Sequence, residues 1–86
     1  MTAWRPAASV QWRHVGTEAI LLDVERKLYY RLDEVGAFVW QRLESGEPPD
    51  RIADAIAESF AVSAETARRD LDPLLESLAA AGLLVA

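Results

Sequence analysis

Leu28-Tyr29-Tyr30-Arg31-Leu32-Asp33-Glu34-Val35-Gly36-Ala37-Phe38-Val39-Trp40 contains the point at which the chain changes its hydrophobic period. Through Leu32 it reads as a strand. Two consecutive tyrosines in a strand point to opposite faces, so one enters the core and the other faces outward, with a binding groove or a half-exposed sheet as its setting. From Val35 onward, Val35, Phe38, Val39 and Leu43 recur at three and four residues with Trp40 beside them, which is the spacing of one helical face. Asp33 stands between the two regimes as an N-cap, and Glu34 is well placed against the positive end of the helix dipole. Gly46 supplies a left-handed residue after the last turn, giving a helix over about Glu34–Ser45.

Upstream, Ile20, Leu22 and Val24 alternate with Leu21 and Asp23, and the charged connection Asp23-Val24-Glu25-Arg26-Lys27 leads into Leu28. So short a link cannot reach a parallel partner, so the two strands form an antiparallel hairpin. Val10-Gln11-Trp12-Arg13-His14 alternates weakly before Gly16 and adds a first strand. Residues 1–9 are weakly patterned and are set apart as a flexible tail, within which Trp4 is either disordered or packed back on the sheet; residues 10–86 form one domain. Downstream, Pro48-Pro49-Asp50 stops and restarts the helical pattern, and Ile52, Ala53, Ile56, Ala57 and Phe60 mark a second, shorter helix. Ser63 caps a third, whose apolar positions Ala67, Leu71, Leu74, Leu75, Leu78 and Ala81 run to Gly82, with Leu83-Leu84-Val85 closing against the core. Pro73 lies inside this helix, and the leucine spacing across it predicts a kink near Arg69 rather than a break. The class is α+β: a short antiparallel three-stranded sheet followed by three helices, winged-helix-like in order.

Composition narrows the chemistry. With 86 residues there is room for one small core and no second domain. The absence of cysteine removes disulfides and thiolate metal sites, and the single histidine, His14, has no acid–hydroxyl arrangement around it, so no catalytic residue, metal or cofactor is expected. Fourteen acidic against nine basic side chains give a net charge of −5, which opposes a phosphate backbone. The third helix, the element that would enter a DNA groove, carries Arg68 and Arg69 among Glu65, Asp70, Asp72 and Glu76. No apolar run approaches a membrane span and the amino terminus lacks a secretory signal, so a cytoplasmic protein without nucleic-acid or membrane partners is expected. An exposed strand edge beside an amphipathic helix suits a peptide better than a duplex.

The stretch Ile20-Leu21-Leu22-Asp23 followed by Tyr29-Tyr30-Arg31-Leu32-Asp33-Glu34-Val35-Gly36-Ala37-Phe38-Val39-Trp40, with the Asp70-to-Leu83 region, resembles the PqqD-like family of precursor-peptide recognition proteins, or RiPP recognition elements. The likeness covers about Ala19–Val85. It departs from the usual pattern in having Lys27 where a turn glycine is common and Asp33 where asparagine is common. The resemblance implies a non-catalytic domain that binds the leader of a ribosomally made precursor and presents it to a modifying enzyme, whether leader peptidase, cyclase or radical enzyme. It implies a leader added as a strand beside Leu28, Tyr29, Tyr30, Arg31 and Leu32 and lying against the third helix around Arg68, Leu71, Asp72 and Leu75. A lasso-peptide leader-binding protein is favoured over a pyrroloquinoline quinone peptide chaperone. Arg31, Arg68 and Arg69 are either partners for acidic leader residues or solvated charges. An acidic winged-helix regulator and an accessory subunit binding a folded enzyme are the alternatives from other classes.

Overall fold

The structure, a computed structural model, describes residues 4–86. Its elements are β1 (Arg5–Pro6), β2 (Val10–Val15), β3 (Glu18–Asp23), β4 (Leu28–Leu32), α1 (Glu34–Glu44), α2 (Pro49–Ser59), α3 (Ala64–Ala80) and β5 (Leu84–Val85). β2, β3 and β4 form an antiparallel sheet in that spatial order. In its register Trp12 faces Leu21 and Leu21 faces Tyr30, while Gln11 faces Leu22 and Leu22 faces Tyr29. Because side chains alternate along a strand, the first row shares one face and the second row the other. Ala19 and Leu21 are fully buried, and α1 packs against β3 and β4, so the row Trp12, Leu21, Tyr30 lies on the helix side. Gln11, Leu22 and Tyr29 lie on the outer face.

The β3–β4 connection is tied by Asp23. Its side chain is almost wholly buried, and Oδ1 accepts hydrogen bonds from the backbone N–H of Glu25 (3.1 Å) and of Arg26 (3.2 Å). The Asp23 carbonyl accepts from Lys27 N–H at 2.7 Å, and Lys27 turns the chain with φ +59°. A lysine thus takes the left-handed conformation that a glycine would adopt without strain, and the hairpin keeps its geometry.

The helices start and stop as their termini dictate. Asp33 Oδ1 accepts from Gly36 N–H (2.8 Å) and Ser63 Oγ from Thr66 N–H (3.0 Å), each satisfying a donor that the first turn leaves free. Gly36 is small because an added Cβ would stand 3.1 Å from Leu32 Cβ, where strand passes into helix. All three helices end in a left-handed residue followed by a backbone bond back to the third residue from the end: Glu47 to Arg42, Val62 to Ala57 and Leu83 to Leu78. Gly46 and Gly82 fill that position in α1 and α3, but Ala61 fills it in α2. α3 runs unbroken through Pro73. The core draws Leu21 from the sheet, Trp40 and Leu43 from α1, Ile52 from α2, Leu71 from α3 and Leu83 from the closing segment.

One expectation changes. Residues 4–9 do not stand apart as a tail: Arg5 pairs with Val85 and Pro6 with Leu84, Ala7 N–H donates to the Leu83 carbonyl at 2.9 Å, and Trp4 packs against the core. The sequence signal is weak because a two-residue strand containing proline has no period to read. Residues 1–3 of the expected tail lie outside the described residues. Among the described residues no helix is long and apolar enough to cross a membrane.

Candidate peptide-binding site

β4 is an edge strand, and main-chain direction fixes what its edge offers. Val24 N–H donates to the Ser9 carbonyl, so Val24 and, by alternation, Leu22 direct their backbone groups toward β2. Asp23, Leu21 and Ala19 therefore direct theirs toward β4, in agreement with the bond from Lys27 N–H to Asp23. Their partners are Leu28, Tyr30 and Leu32. The N–H and C=O of Tyr29 and Arg31 are left pointing outward from the sheet, a template of two donors and two acceptors for another strand.

The side chains divide by face. Tyr29 is 73% exposed on the outer face, beside Leu22 and Ile20 in a shallow hollow of about 490 Å³ that Gln11 and Arg13 also line. Tyr30 is half-buried on the helix side and packs against the core. The outward tyrosine of the pair is thus Tyr29, and it points away from the helices; Tyr30 is the ring that can meet a peptide lying between β4 and a helix. Leu28 is exposed at one end of the strand and Leu32 is buried at the other. Arg31 is ion-paired with Glu18 across the sheet.

The four α3 positions expected at the site do not form one exposed surface. Leu71 and Leu75 are buried, because they lie on the stripe with Ala67 and Leu78 that α3 turns into the core. Arg68 and Asp72 pair with each other (Nε to Oδ1, 3.0 Å), and Arg68 also bonds Asp50 at the start of α2, which holds its guanidinium above its usual range. Together with Trp4, Pro49, Leu75 and Glu76 they line an open hollow of about 370 Å³ on the α2 side of the helix. Asp70, Leu74, Ser77 and Ala81, spaced at four, three and four residues, occupy the opposite flank. Leu74 is half-buried there. Arg69 pairs with Glu65, so Arg31, Arg68 and Arg69 all have carboxylate partners within the chain.

His14 is exposed, with its ring edge-on to Trp12 at 4.9 Å between centroids. Among the described residues no group of three or more His, Asp or Glu side chains is placed to hold a metal ion.

An antiparallel sheet of three strands with β2 and β4 at its edges, backed by three helices, has the architecture of a small binding module in which an edge strand is a template for another strand. The chain belongs to the PqqD family: the family model described as coenzyme PQQ synthesis protein D matches residues 18–84. Among solved structures it is similar to TbiB1 in complex with the TbiA(beta) leader peptide, at 36% identity over 93% of each chain with a TM-score of 0.88. It is also similar to a lasso peptide synthetase B1 complexed with the leader peptide, at 25% identity over 99% of this chain and 100% of that one, again with a TM-score of 0.88. No curated protein matches the chain.

Proposed function

We propose that this protein binds the leader segment of a lasso-peptide precursor as a strand added to β4 and delivers the precursor to a separate modifying enzyme in the cytoplasm, itself performing no chemistry. The observation that carries the reading is the open β4 edge, with the main-chain groups of Tyr29 and Arg31 unpaired among the described residues; the likeness to two proteins held with leader peptides supports it. Main-chain pairing supplies register, and side-chain pockets supply choice. On the helix side the half-buried side chains that would supply choice are Tyr30 of β4 and Leu74 of α3. Arg26 of the hairpin bonds the main-chain carbonyl of Ala81, so the C-terminal end of α3 is tied to the turn that leads into β4.

The test is amide hydrogen exchange with and without a lasso leader peptide. Leu28, Tyr30 and Leu32 bond to β3 already, so bound leader should newly protect Tyr29 and Arg31. Protection confined to the hollow at Trp4 and Asp50 would overturn strand addition at β4. The family description favours a second reading, a chaperone for the pyrroloquinoline quinone precursor. Titration of both leaders side by side separates the two.

A further inference from the structure

Arg26 joins two elements that barely meet otherwise. β4 packs on β3 and α1, whereas α3 packs on α2 and β5. Within the turn, Asp23 holds the backbone of Arg26 and lies 3.8 Å from its Nε through Oδ2. From there Arg26 Nη1 donates to the Ala81 carbonyl at 2.8 Å. Ala81 caps α3, so that carbonyl is at the negative end of the helix dipole, where a cation is favoured. The guanidinium lies against Gly82: a Cβ there would stand 2.7 Å from Nη1 and 2.8 Å from Nη2. Among the described residues no other side-chain hydrogen bond or ion pair links the β3–β4 hairpin to α3.

We infer that Arg26 is a positioning residue that sets the spacing of β4 and α3 at the hairpin end of the leader groove, and that Gly82 is glycine in part to seat its guanidinium. The inference rests on the leader-binding reading. A groove held at its working width binds without first being ordered, so releasing the tie lowers affinity although Arg26 need not touch the peptide.

The chain has no cysteine, so spin labels at Glu25→Cys and Ser77→Cys report the hairpin-to-α3 distance cleanly. Arg26 is more than half exposed, so Arg26→Ala should fold with a melting temperature near that of the parent. It should broaden the label distance distribution and weaken leader binding about fivefold, the scale of one charged cap at a helix end. Arg26→Lys keeps a cation near the Ala81 carbonyl and should recover most of that affinity. Gly82→Ala, measured well below its melting temperature, should reproduce the loss by displacing the guanidinium. Unchanged leader affinity in Arg26→Ala, or an unchanged label distance, would overturn the inference. If the parent chain binds no leader, the functional reading fails, and an unbroadened distance in Arg26→Ala would then refute the tie by itself.

Discussion

Lys27 and Ala61 hold the left-handed conformation without being glycine. Ala61 is exposed, ends α2 and contributes no side-chain hydrogen bond. Ala61→Gly should therefore stabilise the fold by about 0.5–1 kcal/mol, the strain relieved exceeding the added chain entropy; an unchanged or lower midpoint in chemical denaturation would contradict this. The tyrosines separate by face. Tyr30→Ala removes a half-buried ring and should cost about 2 kcal/mol of stability, less than the loss of a fully buried aromatic, and it should also weaken leader binding. Tyr29→Ala should leave the melt nearly unchanged and cost leader binding only a cross-strand pair, ~0.2–1 kcal/mol. Thermal melts with leader titrations check both, and the reverse pattern would mean that the leader lies on the outer face. Period-two reading establishes that the two rings part. Which one goes inward depends on the pairing of Tyr30 with buried Leu21, a register that no local pattern in β4 contains.

At the level of elements, the open edge of β4 makes a proline scan informative. Proline is tolerated where a strand's N–H faces solvent and disruptive where it faces the ladder. Arg31→Pro should fold and lose about 0.5–1.5 kcal/mol of leader binding, one main-chain hydrogen bond. Tyr30→Pro should unfold the sheet edge. Circular dichroism and calorimetry distinguish the two, and equal damage to folding in both would mean that the parity of the edge is misassigned. Ser63→Ala should cost about 1 kcal/mol by freeing Thr66 N–H, visible as a lower urea midpoint. The helices were legible because their punctuation is explicit: Asp33 and Ser63 cap, Gly46 and Gly82 terminate, and Pro48-Pro49 divides. The arrangement of the candidate residues on α3 was less so. Helical spacing puts Leu71 and Leu75 on one stripe and Arg68 and Asp72 beside it, but the flank of α3 that α2 covers is decided by how the buried Ile52, Ala53 and Ile56 of α2 dock, a long-range contact that no local pattern in α3 contains. β1 and β5 escaped because two residues show no period.

Across the whole molecule charge is divided. Through Leu32 there are five basic and three acidic side chains, and beyond it four basic and eleven acidic. The sheet is the less negative part, and Arg68, the cation nearest the α3 hollow, is occupied by Asp50 and Asp72. Arg68→Glu should lower the melting temperature slightly, by setting like charges together, yet change leader affinity by no more than about twofold, since exposed pairs contribute little and weaken with salt. A large, salt-sensitive loss of binding in that variant would place the leader on the α2 side of α3. The pairing of Arg5–Pro6 with Leu84–Val85 carries a different consequence. It brings Trp4 and Ala86 to neighbouring positions at one corner, one inter-strand spacing of roughly 5 Å apart at the paired residues. A passenger protein fused ahead of Trp4 or behind Ala86 would hang from the same corner. A short bridge from Ala86 to Trp4 would close residues 4–86 into a ring, and the ring could be reopened between α1 and α2 at Pro48 with every pairing of the sheet kept.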